Sequence, residues 1–163
     1  MAFTIGVISD THLRQVTKEF ERLYNEYLSD KDLIIHAGDI VCGDVIDFLS
    51  QKPLKAVCGN MDPFEVRKSL LPKQVIEIEG FRIGVIHGWG PSAGLEDRII
   101  NEMPGVDVIV YGHSHYPANH VKQGVLMFNP GTATGYPSAG FNSIGILEIG
   151  NSVQGKIIKL SGE

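Results

Sequence analysis

Val108-Ile109-Val110-Tyr111-Gly112-His113-Ser114-His115 is an apolar run that stops at a glycine and presents two histidines one residue apart. It reads as a buried strand ending in a pair of metal ligands. Imidazole nitrogen suits zinc, manganese, iron and nickel, and alternate residues of an extended chain point the same way, so both rings can reach one site. A lone His-x-His fits an ordinary strand end with two surface histidines equally well. The decision comes from the rest of the chain, where four other predicted strands end in the same manner.

The first of these is Phe3–Ile8, an apolar run followed by Ser9-Asp10-Thr11-His12. Val16 to Leu28 carries apolar residues at helical spacing and predicts an amphipathic helix that covers a sheet. Leu33–Ala37 is the second strand and ends at Gly38-Asp39; a short helix over about 44–50 follows. Leu54–Cys58 is the third strand and stops at Gly59-Asn60-Met61-Asp62. After a less regular connector from Pro63 to Pro72, Gln74–Ile78 and Phe81–Ile86 flank Glu79-Gly80 as a hairpin that delivers His87-Gly88. Leu95–Glu102 is a short helix ended by Met103-Pro104-Gly105, and Val106–Tyr111 leads back to the opening stretch. Four later strands, 120–122, 125–128, 143–149 and 153–160, have joints that suggest antiparallel meanders. Strand and helix alternate early and strands follow strands late, which predicts an α/β fold of two mixed sheets with helices outside.

The 163 residues fit a single domain, 1–163, with 43% hydrophobic and 20% charged side chains, ordinary values for a globular chain. A domain of this size buries about 70% of its unfolded surface, so it needs no staples. The net charge of −5 argues against a broad basic surface for duplex DNA or an anionic membrane, and makes a nucleic-acid partner unexpected. Cys42 and Cys58 form neither a Cys-x-x-Cys nor a dense framework and read as small buried hydrophobes in a reducing compartment. With no basic leader, cleavage site or spanning apolar stretch, the expected location is the cytoplasm.

The strand ends present Asp10, His12, Asp39, Asn60, His87, His113 and His115, all oxygen or nitrogen donors for hard-to-borderline divalent cations. Carboxyl ends of strands are where sites gather in open α/β sheets, so these side chains can converge from distant sequence. Seven donors exceed the needs of one tetrahedral ion and suit two ions about 3.5–4 Å apart. Two divalent cations against the charges of Asp10 and Asp39 leave about +2, which suits a phosphate ester.

The ordered set Asp-x-His, Gly-Asp, Gly-Asn-x-Asp, His-Gly and Gly-His-x-His resembles the calcineurin-like metallophosphoesterase superfamily. Chain length and Asn129-Pro130-Gly131-Thr132 are similar to its small bacterial and archaeal phosphodiesterase branch, to which the retromer scaffold subunit is related. The resemblance implies a four-layer α/β/β/α sandwich. It also implies a dinuclear phosphodiesterase, in which a metal-bridging hydroxide attacks phosphorus in line. Asp10, His12 and His115 would hold one metal and Asn60, His87 and His113 the other, with Asp39 bridging; Asp39, Asn60 and His87 are the expected catalytic residues. Manganese is the leading cofactor, with nickel, iron, zinc and magnesium compatible. The substrate would be a small phosphate ester, and self-association as a homo-oligomer is left open.

Two positions depart from many relatives. Met61 stands where a histidine can protonate the leaving oxygen, which favours acidic leaving groups, or diesters in which another group or a metal-bound water helps. Trp89 replaces another histidine and reads either as a stacking wall or as a loop anchor. Asp62 is expected to hydrogen-bond a ligand histidine, His36 to be a structural or supporting histidine, and His120 to lie on the surface. The Asn129–Gly140 stretch lacks the lysine of a P-loop and reads as support for the site. The alternative function is a non-catalytic metal-binding scaffold for protein–protein interaction, which would have no reason to keep every donor.

Overall fold

The fold alternates strand and helix from β1 (Phe3–Ile8) through α1 (Lys18–Leu23), β2 (Leu33–His36), α2 (Gly43–Leu49), β3 (Leu54–Ala56) and the one-turn α3 (Phe64–Arg67). It continues with β4 (Lys73–Ile78), β5 (Phe81–Ile86), α4 (Leu95–Glu102), β6 (Val108–Val110), β7 (Ala118–Lys122), β8 (Val125–Asn129), β9 (Ser143–Ile149) and β10 (Val153–Lys159). These elements come from a computed structural model that describes residues 2–160. They form two five-stranded mixed sheets, in the orders β10-β9-β1-β2-β3 and β4-β5-β6-β8-β7.

Strand alternation explains the layering. Ile5 and Val7 of β1, Ile35 of β2, Val108 and Val110 of β6, and Phe128 of β8 pack together between the sheets. The opposite faces are also covered. Ile8 and Ile34 meet Phe20, Leu23, Val45 and Leu49 from the helices on one side, while Ile109 and Met127 meet Leu95 and Ile99 of α4 on the other. Strands buried on both faces read as unbroken apolar runs, which is why the central ones were legible. The result is the α/β/β/α sandwich expected. No helix of the described residues is long and apolar enough to cross a membrane.

Three details differ from the sequence reading. The predicted 16–28 helix begins after Thr17, whose hydroxyl accepts the amide of Phe20 at 3.1 Å. It then widens into a π-helical turn over Tyr24–Leu28, closed by Ser29 N–H to the Tyr24 carbonyl at 2.9 Å. The third strand stops at Ala56, and Val57 only bridges to Leu71. The late strands are not one meander: β7–β8 and β9–β10 are antiparallel pairs, but β8 lies parallel to β6 and the Gly-rich segment after it crosses to the other sheet. That crossing carries Asn129–Thr134 against the ends of β1 and β6, where it bonds Asp10, Thr11 and Gly112.

Candidate metal centre

β1, β2 and β3 run parallel in one sheet, and β5 and β6 run parallel in the other, so their carboxyl ends lie on common edges. The donors sit in the turns just beyond. Asp10, His12, Asp39, His113 and His115 all have positive φ, between 49° and 72°. Asp and His tolerate this region better than branched residues do, yet each such residue still costs on the order of 1–3 kcal/mol. Surrounding bonds hold them there, among them Asp10 N–H to the Gly38 carbonyl at 3.0 Å and His12 N–H to the Asp39 carbonyl at 3.2 Å. Close approach also requires glycine nearby. A Cβ on Gly59 would lie 2.6 Å from the Asp39 nitrogen, and one on Gly112 would lie 2.6 Å from Asp10 Oδ2.

All seven predicted side chains reach one region. His115 Nε2 and His12 Nε2 lie 3.3 and 3.8 Å from Asp10 Oδ1. His87 Nε2 lies 3.6 Å from the same oxygen and 3.2 Å from Asp39 Oδ2, which is 3.6 Å from His12 Nε2. Donor atoms of Asp10, His12 and His115 fall within 4.8 Å of one another, as do those of Asp10, Asp39 and His87. His113 joins through Asn60, with Nδ1 3.2 Å from Asn60 Oδ1, and its ring stands edge-on to that of His87.

Carbonyl oxygens only accept hydrogen bonds, and this orients the rings. His87 Nδ1 meets the Ala37 carbonyl at 2.8 Å and His115 Nδ1 meets the Tyr136 carbonyl at 2.7 Å, so both donate there and leave Nε2 bare. His113 is reversed: Nε2 meets the Gly90 carbonyl at 2.7 Å, which leaves Nδ1 facing the Asn60 oxygen. Lone pairs therefore point at lone pairs across the site. Asp10 Oδ1, His12 Nε2 and His87 Nε2 are buried without any hydrogen-bond partner among the described residues. Such a cluster is relieved by a proton or by a cation. The donor set fits divalent metals, with histidines oriented from behind by backbone carbonyls.

Charge follows the same geometry. Burial alone would raise the Asp10 carboxyl, but contacts with His115 and His12, the charge of His87 and the Ser9 hydroxyl hold it well below the usual carboxylate range. Contact with Asp10 pushes the His115 imidazole up to about 8. Burial pulls His87 down, yet Asp39 and Asp10 outweigh it and raise its pKa.

Behind the donors lies a supporting layer. The Asp62 carboxylate accepts the amides of Asp39, Val41 and Gly59 at 3.1, 2.6 and 2.7 Å. The expected bond from Asp62 to a ligand histidine is replaced by a clamp on backbone, because three amides at the ends of β2 and β3 converge there. Ser9 Oγ donates to Asp10 Oδ2 at 2.7 Å, and Thr132 and Thr134 donate to the carbonyls of Asp10 and Thr11. Asn129 donates to the Gly112 carbonyl at 3.2 Å and to Ser114 Oγ at 3.1 Å, steadying the turn that carries both histidines. Sequence reasoning singled out the Asn129 segment but gave no role to Ser9; a hydroxyl beside the first strand's aspartate was its only signal.

His36 is buried, as its supporting role requires. Its Nδ1 accepts the Gly38 amide at 3.1 Å, so Nε2 carries the proton shared with Thr11 Oγ1 at 3.1 Å. Burial holds its pKa down to about 3. A histidine depressed from 6.5 takes up its proton more readily when unfolded, so its contribution to stability is present above pH 6.5 and is lost as pH falls toward 3. Denaturant melts at pH 4.5 and 7 should show this loss, and a His36→Gln variant should show a shallower acid dependence than the unmodified protein. His120 is exposed and pairs with Glu96 at 2.9 Å. Trp89 is 43% exposed, and its carbonyl accepts from the Arg98 guanidinium.

Sequence comparison matches residues 3–152 to the calcineurin-like phosphoesterase superfamily domain. The chain belongs to that family. Its members are phosphoester hydrolases, and this phosphoesterase is an enzyme of their class. It is 35% identical over 160 residues to a protein of Methanocaldococcus jannaschii named "Probable metallophosphoesterase", covering 96% of this chain and 81% of that one. It is 30% identical over 159 residues to one from the same organism named "Phosphodiesterase", covering 88% and 92%. The solved structure of vacuolar protein sorting 29 from Cryptosporidium parvum superposes on the phosphoesterase with a TM-score of 0.74 at 19% identity, covering 99% of each chain. That likeness concerns the fold.

Proposed function

We propose that residues 1–163 act as one domain and as a phosphodiesterase that works with two divalent cations on small phosphate esters. Asp10, His12 and His115 would hold one cation and Asn60, His87 and His113 the other, with Asp39 shared between them. The observation that carries this is the set of orphaned donors: Asp10 Oδ1, His12 Nε2 and His87 Nε2, buried and unpaired beside carboxylates. Divalent ions bound there would supply Lewis acidity toward phosphoryl oxygen and a nucleophilic water near neutral pH. The protein's own contribution is orientation. Backbone carbonyls fix His87, His113 and His115, the Met61 amide donates to Asp39 Oδ1 at 2.8 Å, and Asp39 Oδ2 is left facing the histidines. With oxygen and nitrogen donors and no thiolate, manganese leads, and nickel, iron, zinc or magnesium also fit.

The reading places the enzyme in the cytoplasm, in keeping with two free cysteines. A purely non-catalytic scaffold is disfavoured by the completeness of the donor set. Protein stripped with chelator and refilled with manganese is expected to hydrolyse bis(p-nitrophenyl) phosphate, with activity removed again by chelator. A folded protein that no divalent metal activates would refute the proposal.

A further inference from the structure

A groove of about 420 Å³ opens beside Asn60 and His87 and runs between Trp89 and the segment that carries Arg67 and Lys73. Its volume is that of a small-molecule site. Three features bear on what fills it. The Trp89 indole is substantially exposed and belongs to none of the core clusters, so it offers a stacking surface. The Arg67 side chain is exposed and has no carboxylate within 4 Å among the described residues, whereas Lys73 is neutralised by Glu102 at 2.8 Å. The groove therefore keeps one uncommitted guanidinium, which suits phosphate.

The third feature is that, among the described residues, no uncommitted general acid lines the groove. Apart from His87, already committed to the centre, the groove's ionisable side chains are Arg67, Lys73, Glu102 and Cys58. Arginine does not give up its proton, Lys73 and Glu102 are tied to each other at 2.8 Å, and a thiol is a weak donor. Met61, exposed and next to Asn60 in the chain, has no proton to give. A leaving group that departs here must be stable as an anion.

We propose that this groove is the leaving-group subsite and that it takes a nucleoside monophosphate, which makes the preferred substrate a phosphoanhydride-linked nucleotide. The ring would stack on Trp89 and the departing phosphate would meet Arg67. This rests on the phosphoesterase centre proposed above. In the reaction, the oxygen of water forms a bond to one phosphorus and the bridging P–O bond breaks. The electron pair of that bond stays on the departing phosphate. Two phosphomonoesters result, both protons of the water pass to solvent, and nothing is oxidised or reduced.

Trp89 is the only tryptophan of the chain, so its fluorescence reports on the groove directly. Adenosine monophosphate titrated into chelator-treated protein should quench it saturably. Adenosine alone should bind about tenfold or more weakly, and Arg67→Ala should bring the nucleotide down to the level of adenosine. With manganese present, diadenosine pyrophosphate should be cleaved with higher kcat/KM than a dialkyl phosphate, and Trp89→Leu should raise KM about tenfold with little change in kcat. Absence of quenching, or equal affinity in the Arg67→Ala variant, would overturn the inference even if the protein hydrolyses aryl diesters. Quenching with the predicted Arg67 dependence, in a protein that no metal activates, would support the subsite and refute the catalytic proposal instead.

Discussion

Replacing Asp39 with asparagine is expected to lower phosphodiester turnover by about three orders of magnitude or more. The two oxygens of Asp39 have separate tasks. Oδ1 accepts the Met61 amide at 2.8 Å, while Oδ2 lies 3.2 Å from His87 Nε2 and 3.6 Å from His12 Nε2. An asparagine can keep the first contact. Its NH2 then occupies the second position, presenting a donor where the cluster presents lone pairs, and one of the two carboxylate charges among the seven donors is gone. Two cations would face one another with half the anionic compensation, so binding and rate should both fall. The fold should survive, because the replaced oxygen makes no hydrogen bond that the packing depends on. Steady-state kcat/KM in excess manganese, together with a thermal melt, checks the point. A variant within tenfold of the unmodified protein would remove Asp39 from the mechanism.

Truncation of Asp62 to alanine is expected to act on stability. Its carboxylate is 4% exposed and accepts the amides of Asp39, Val41 and Gly59. Each buried amide left without a partner costs about 1–3 kcal/mol, so the buried amides of Asp39 and Gly59 with the half-buried one of Val41 together cost on the order of 3–6 kcal/mol after some relief by water. That is a large share of the roughly 5–15 kcal/mol that holds a domain folded. Val41 adds to the effect: it is β-branched with φ of 75°, a conformation that needs outside support, and its amide makes the 2.6 Å bond to Asp62. The melting temperature should drop by about 10 °C or more. The variant should also bind metal more weakly, since Asp39 and Asn60 lie in the turns this clamp holds. A change below about 1 kcal/mol in urea melts would contradict the clamp.

These two residues show where sequence reasoning reaches its limit. Asp39 was legible because a strand buried on both faces leaves an unbroken apolar run, and such a run ending in Gly-Asp stands out. The same logic exposed Asp10, Asn60, His87 and His113, and parallel strand ends in the fold then brought them together. Asp62 was noticed, but its partners were not, since three backbone amides converging from two turns have no signature in residue type. Ring orientation was equally hidden. Whether His113 presents Nδ1 or Nε2 depends on the Gly90 carbonyl, which a loop distant in sequence supplies. The place of β8 between β6 and β7 was illegible for another reason: a short Gln123-Gly124 turn announces the hairpin, but nothing local says which of its strands will pair with β6.

The central claim is that seven side chains hold two divalent cations. Equilibrium dialysis of chelator-stripped protein against manganese, followed by elemental analysis, tests it most directly. Two ions per chain are predicted for the unmodified protein and one for each of His113→Ala and His115→Ala. One ion or fewer per chain in folded, unmodified protein at saturating manganese would contradict the dinuclear account.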